Sequence, residues 1–256
     1  QHKDLKADYI MANPPFNQSG WRADNELTTD PRWAGFETPP TSNANYGWIL
    51  NILSKLSIDG VAGFILSNGA LSADGTEKEI RKKLLEMGKV ECILILPGKL
   101  FYSTDISVTL WILNNNKKAR TKTKNGNEIH YRDREKEVLF FDLRQMAVPY
   151  EKKYVELPPE TRNKVANTYH VWQQAGYETS YENTPEYCYT AKIEEIRDKD
   201  YSLVPSKYIE FKNLDTDVDF EAEMTKISTE LRSILAERKG LDKELSDLFT
   251  SLGYEL

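Results

Sequence analysis

The 256-residue sequence has little of what metal centres, disulfide frames and membrane spans require. Its three histidines, His2, His130 and His170, lie apart from one another and from both cysteines, so no metal site is expected. The cysteines show no patterned spacing. Cys92 falls in an apolar strand pattern and Cys188 in a Tyr-rich loop, which predicts reduced thiols. Apolar runs are short as well: Val61 to Leu66 and Val90 to Leu96 are the longest, far below the ~20 residues that cross a bilayer. The N-terminus has no signal-peptide pattern. A cytoplasmic protein without a membrane partner is the expectation. Positive charge is in deficit, with a formal net charge of −6, so any affinity for polyanionic DNA must be local or supplied by a partner.

What is present concentrates in the stretch Ala7-Asp8-Tyr9-Ile10-Met11-Ala12-Asn13-Pro14-Pro15-Phe16. Tyr9 to Ala12 read as a buried parallel strand that stops at Asn13. The two prolines push the residues before them out of helical conformation and supply no N–H, so the loop is stiff. A loop at the carboxyl end of a strand is where open α/β sheets bind ligands. The Asn13 side-chain oxygen and the Pro14 carbonyl could accept the two hydrogens of a planar amine and favour the pyramidal nitrogen that attacks an electrophile. Phe16 offers a flat face for stacking, of the kind that holds a flipped nucleobase. An Asn-Pro turn with a Pro-Pro pair is also an ordinary loop, so the tetrapeptide alone leaves both readings open.

Further along, residues 17–43 have no apolar period and form a long loop. Its Trp21, Trp33 and Phe36 either close over a ligand or pack the loop to the body, the second being the ordinary use. A helical pattern from Asn45 carries Ile49, Ile52, Leu53 and Leu56 and ends before Asp59-Gly60. Val61 to Ser67 is a strand. Thr76 and Glu79 suggest a capping box opening a helix through Ile80, Leu84 and Met87 that Gly88 stops. Val90 to Leu96 and Ser107 to Leu113 complete an α/β alternation.

The basic run Lys117, Lys118, Arg120, Lys122, Lys124 reads either as a solvated hairpin tip or as a phosphate contact. Beyond it come a helix between Pro158-Pro159 and Gly176, with Tyr169 and Trp172 as core, and a short helix near Ile193 and Ile196. From Phe220 the apolar residues Met224, Ile227, Leu231, Ile234, Leu241, Leu245, Leu248 and Leu252 step by alternating four and three, with only Arg238 interrupting at its place between Ile234 and Leu241, a heptad seam. It fits either a partner helix or a helix folded back on its own domain.

Asn13-Pro14-Pro15-Phe16 resembles motif IV of amino methyltransferases. The blocks Asn45-Tyr46-Gly47-Trp48-Ile49, Leu53-Ser54-Lys55-Leu56, Gly60 to Gly69, Leu96-Pro97-Gly98-Lys99-Leu100-Phe101, Val138 to Arg144 and Asp200 to Tyr208 are similar to the modification subunit of type I restriction-modification systems. The resemblance covers most of residues 5–211, with Ser67 standing where many relatives are expected to have proline. It implies an α/β fold, the second half of a Rossmann-like seven-stranded methyltransferase sheet, followed by a mixed segment and a long C-terminal helix. Implied boundaries are 1–145 for the catalytic half-domain, 146–214 for the extension and 215–256 for the docking helix. It also implies S-adenosylmethionine-dependent N6 methylation of a flipped DNA adenine, with Asn13, Pro14, Pro15 and Phe16 as site residues and Asn13 bordering the cofactor.

The implied partners are DNA, a specificity subunit at residues 220–252 and a restriction subunit. The glycine-rich cofactor loop of such enzymes does not precede Tyr9, so the chain is expected to be the later part of a longer protein and inactive alone, with Tyr9 to Ala12 left at a sheet edge. A protein-glutamine or RNA amino methyltransferase, or an inert assembly piece, remain the alternatives.

Overall fold

The computed structural model describes residues 2, 4–102, 104–124, 126–211 and 220–253, and the side chain of Lys124 is not among the described parts. The chain divides into two units, Gln1–Phe211 and Lys212–Leu256. The first is built on a six-stranded sheet of β1 (Ala7–Ala12), β2 (Leu56–Ser67), β3 (Val90–Ile95), β4 (Val108–Asn114), β7 (Glu137–Asp142) and β10 (Cys188–Lys192) in the order β1-β2-β4-β3-β7-β10. β1 is parallel to β2 and β3 is parallel to β7, while β4 runs antiparallel between β2 and β3. Strands β1, β2, β3 and β7 therefore share one direction, and their carboxyl ends line one edge of the sheet. The α/β alternation read from the sequence is present.

Side chains alternate between two cores, as a pleated strand requires. Ala62, Phe64 and Leu66 of β2, with Trp111 and Leu113 of β4, pack under α1 (Asn45–Lys55) and α2 (Thr76–Glu86). On the opposite face Cys92, Leu94, Leu139 and Phe141 pack with Trp172 of α3 (Pro159–Gln173). β1 sends Ile10 and Ala12 to the first core, whereas Tyr9 and Met11 are 82% and 93% exposed. The strand is thus parallel as expected but not buried. It lies at the sheet edge with β2 as its one neighbour among the described residues, and α3 covers the other end of that face.

Beside the second core sits a group of buried charges. Glu91 is fully buried and accepts hydrogen bonds from Arg134 Nε (3.0 Å), Asn114 Nδ2 (2.6 Å), the Tyr169 hydroxyl (3.0 Å) and Gln173 Nε2 (3.2 Å). Burial alone would raise its pKa, but Arg134 and then Lys117 outweigh burial and hold the carboxyl below its usual value. Lys117 donates to the carbonyls of Val90 and Glu137 at 2.7 and 2.6 Å, and burial pulls its pKa down to about 8. Lys117 therefore leaves the basic run. The rest surrounds a separate hairpin of β5 (Arg120–Lys124) and β6 (Asn127–Tyr131).

Other expectations shift. Thr76 is the first helical residue rather than the cap, because Gly75, with φ of 64°, occupies the cap position and no side-chain capping bond forms. Helix α1 stops at Lys55, and β2 begins at Leu56, with the irregularity at residues 57–60 absorbed between the Ala7–Leu56 and Tyr9–Val61 pairs. Cys188 opens β10 rather than lying in a loop. That strand comes from the segment expected to be a separate extension, so the sheet continues through residue 145 and the first unit runs to Phe211. The boundary expected near residue 215 lies outside the described residues. A small hairpin of β8 (Val148–Tyr150) and β9 (Tyr154–Glu156) and the short α4 (Ile193–Asp198) complete this unit.

In the second unit, α5 (Phe220–Ser251) is one 32-residue helix. Its seam residues Leu231, Ile234, Leu241 and Leu245 are exposed. No helix among the described residues is long and apolar enough to cross a membrane.

The buried carboxylate generates a stability test. Glu91→Ala leaves Arg134 buried without its ion partner and should cost about 3 to 5 kcal/mol, read as a lower urea midpoint. Tyr169→Phe removes one hydrogen bond to the same group and should cost about 1.5 to 3 kcal/mol. Equal midpoints for Glu91→Ala and wild type would show that the cluster contributes nothing.

Candidate active site

The loop that leaves β1 starts at the carboxyl edge of the sheet. Asn13 and Pro15 are exposed, Pro14 is buried and Phe16 is half-buried. The buried ring of Pro14 anchors the loop, and its exposed neighbours are presented outward. Neither the Asn13 side chain nor the Pro14 carbonyl has a hydrogen-bond partner among the described residues. The exposed Asn13 side chain is thus open to a ligand, and the Pro14 carbonyl beside it is uncommitted. Phe16 packs at the margin of the second core, the cluster that also takes in Ile65, Leu100, Phe101 and Leu110. The four sequence-predicted residues are contiguous and stay together at this edge.

Sequence reasoning missed the polar residues beneath them. Asn17 has a φ of 51°, and its N–H donates to Asn45 Oδ1 at 3.0 Å. Its own Oδ1 accepts from Asn45 Nδ2 (2.9 Å), Ser67 Oγ (2.8 Å) and Asn43 Nδ2 (3.3 Å). At the end of β2, Asn68 Oδ1 accepts from Thr109 Oγ1 at 2.8 Å. The one signal in the sequence was Ser67 standing in place of an expected proline: a hydroxyl there can donate, and proline cannot.

Trp21, Trp33 and Phe36 take the packing role. The indole N–H of Trp33 donates to the Leu27 carbonyl and that of Trp21 to the Pro40 carbonyl, at 2.6 and 2.8 Å. The two indoles meet edge to face with centroids 6.0 Å apart, and Trp21 lies over Gly47 of α1. Their polar atoms are committed within the loop, so they hold it on the body.

No group of metal-ligating side chains occurs among the described residues. Cys92 and Cys188 are both buried and unpaired, and burial raises both thiol pKa values. A thiol held neutral is a poor nucleophile.

A site of this kind, an α/β sheet whose strand ends present two free acceptors and an aromatic ring, suits a planar amine. Residues 1–217 match the family described as N-6 DNA Methylase. The chain is 35% identical to the type I restriction enzyme HindI methylase subunit of Haemophilus influenzae, over 100% of this chain and 54% of that protein. It is 32% identical to the type I restriction enzyme MjaIX methylase subunit of Methanocaldococcus jannaschii, over 98% of this chain and 43% of that protein. A type I restriction-modification methyltransferase subunit from Streptococcus thermophilus has the same fold, with a TM-score of 0.67 and 26% identity over 82% of this chain and 39% of its own. The chain belongs to the N-6 DNA methylase family. It spans about half the length of the curated relatives it matches.

The buried thiols give a direct check on the site. Neither Cys92 nor Cys188 should react with iodoacetamide in the folded protein at neutral pH, and both should react in urea. Rapid native labelling of either would show a thiol that the structure does not account for.

Proposed function

We propose that this chain forms the target-base side of a DNA adenine-N6 methyltransferase, the modification subunit of a type I restriction-modification system. The observation that carries the reading is the pair of unpartnered acceptors, the Asn13 side chain and the Pro14 carbonyl, beside Phe16. Adenine's exocyclic amine delocalises its lone pair into the ring. Acceptors taking both N–H hydrogens favour the pyramidal geometry in which that pair is localised, and they act where charge develops. Phe16 stacks on the base once it leaves the duplex, a contact worth about 1 to 3 kcal/mol. Pro15 keeps the loop from folding onto its own acceptors.

The methyl donor of such enzymes is S-adenosylmethionine. The residues described here do not make a cradle for it: β1 ends in Asn13-Pro14-Pro15, β2 in Asn68-Gly69 and β3 in Leu96-Pro97-Gly98, and none of these is a glycine-rich turn leading straight into a long helix. Asn13 borders the donor in this reading, and the chain alone is expected neither to bind it nor to transfer methyl. In the full complex the seam of α5 pairs with a helix of the specificity subunit, with DNA and a restriction subunit as the further partners. A complex in the cytoplasm fits the family.

Asn13→Ala in the full-length subunit should abolish methyl transfer to adenine while leaving the urea midpoint and calorimetric cofactor affinity close to wild type. By comparison with an oxyanion-hole donor, the loss is about 2.7 to 4 kcal/mol in the transition state. Activity within tenfold of wild type, or transfer to RNA or a peptide amide in place of DNA, would overturn the reading.

For α5, replacing Leu231 and Leu245 by Glu should release the specificity subunit on co-purification without changing the unfolding of the α/β unit. Unchanged co-purification would mean that the seam serves its own chain.

A further inference from the structure

We propose that Asn17 and Asn45 are positioning residues that set the pose of the target-base loop. The proposal rests on the adenine reading for its substrate, but its geometry is independent of it. Asn17 directly follows Phe16, so the torsions at Asn17 decide how the loop carrying the ring and the two free acceptors leaves the sheet edge. Those torsions are unusual. A φ of 51° is left-handed, a conformation that asparagine tolerates better than most residues with a side chain.

What holds it there is a closed pair of hydrogen bonds. The Asn17 N–H donates to Asn45 Oδ1 at 3.0 Å, and Asn45 Nδ2 donates back to Asn17 Oδ1 at 2.9 Å. One carboxamide thereby grips the backbone and the side chain of the same residue. The second lone pair of Asn17 Oδ1 faces Ser67 Oγ at 2.8 Å, with Asn43 Nδ2 more distant at 3.3 Å. Asn45 lies in the first turn of α1, and Ser67 is the last residue of β2. The loop is therefore registered at once to the strand beside it and to the helix above it.

Asn45 is 1% exposed, so its two amide functions are committed to this pair and its neighbours rather than to water. Helix α1 and strand β2 have their own apolar packing through Tyr46, Ile49, Phe64 and Leu66. Loss of the network should consequently move the loop more than it loosens the fold. Misplacement of reacting groups by about 1 Å can cost on the order of 100-fold in rate.

Two substitutions at Asn17 separate hydrogen bonding from backbone strain. Asn17→Gly relieves the left-handed φ and keeps the N–H but deletes every bond accepted by Oδ1. Asn17→Asp keeps an acceptor for all three donors. In the full-length methyltransferase, Asn17→Gly and Asn45→Ala should lower kcat at least tenfold and raise KM for target DNA, with cofactor affinity and urea midpoint near wild type. Asn17→Asp should restore kcat to within a few-fold. In parallel, hydrogen exchange of the residue-17 amide should speed up at least tenfold in Asn17→Gly and Asn45→Ala and stay slow in Asn17→Asp.

Wild-type kcat in Asn17→Gly would overturn the proposal, as would Asn17→Asp failing as badly as Asn17→Gly, or unchanged exchange in all three variants. If wild type methylates no DNA adenine while exchange follows the expected pattern, the substrate reading fails and the positioning role stands.

Discussion

Among the described residues β1 has β2 as its one neighbour, so its parallel ladder to β2, from Tyr9 beside Val61 to Ala12 beside Phe64, carries the loop that follows. A strand with one neighbour can shift in ways that a central strand cannot, and its free N–H and C=O groups invite other partners. Three features limit that freedom. Ile10 and Ala12 are packed into the first core, Pro14 is buried immediately beyond the strand, and Asn17 is tied to Ser67 and Asn45. Together they pin β1 and its loop on one face and at one end. The other face, with Tyr9 and Met11, is left open.

The parts of the site that could be read from the sequence are those whose physics is local. Proline fixes its own φ and restricts the residue before it, so Asn13-Pro14-Pro15 announced a stiff loop wherever it lay. The short apolar runs of β2, β3 and β4 and the period of α1 and α2 are likewise local signals, and the α/β architecture followed from them. Burial of Tyr9 and Met11 did not follow. An apolar strand reads the same whether its neighbours are present or not, and here Tyr9 and Met11 on one face are exposed.

The misread polar residues share another cause: their partners are far away in the chain. Asn17 meets Asn45 and Ser67 at separations of 28 and 50 residues, and Glu91 meets Arg134 across 43. Lys117 looked like one member of a solvated basic run. It is instead buried because two backbone carbonyls and the nearby Glu91 charge supply what water would have supplied. The capping box at Thr76 failed for a smaller reason: a glycine took the cap one residue earlier, and a one-residue shift is enough to misalign a reciprocal pair.

Glu91, Lys117 and Arg134 form one group of buried ions that ties β3, β4 and α3 together, while Arg81 beside Tyr46 and Asp142 at the end of β7 are buried apart from it. The groups around the loop that leaves β1 are neutral: Asn13, Asn17, Asn43, Asn45, Ser67 and Asn68, with the Tyr46 hydroxyl nearby, whose pKa burial pushes up to about 12 against the pull of the Arg81 guanidinium bonded to it. A neutral amine has no charge to be drawn by an ion, and a buried carboxylate beside it would demand a counter-charge of its own. Carboxamide and carbonyl oxygens accept hydrogens at every pH at which the protein is folded. Geometry rather than protonation therefore governs what this edge can do, and a rigid loop, held by uncharged hydrogen bonds to a strand end and a helix start, is the form that such a requirement takes.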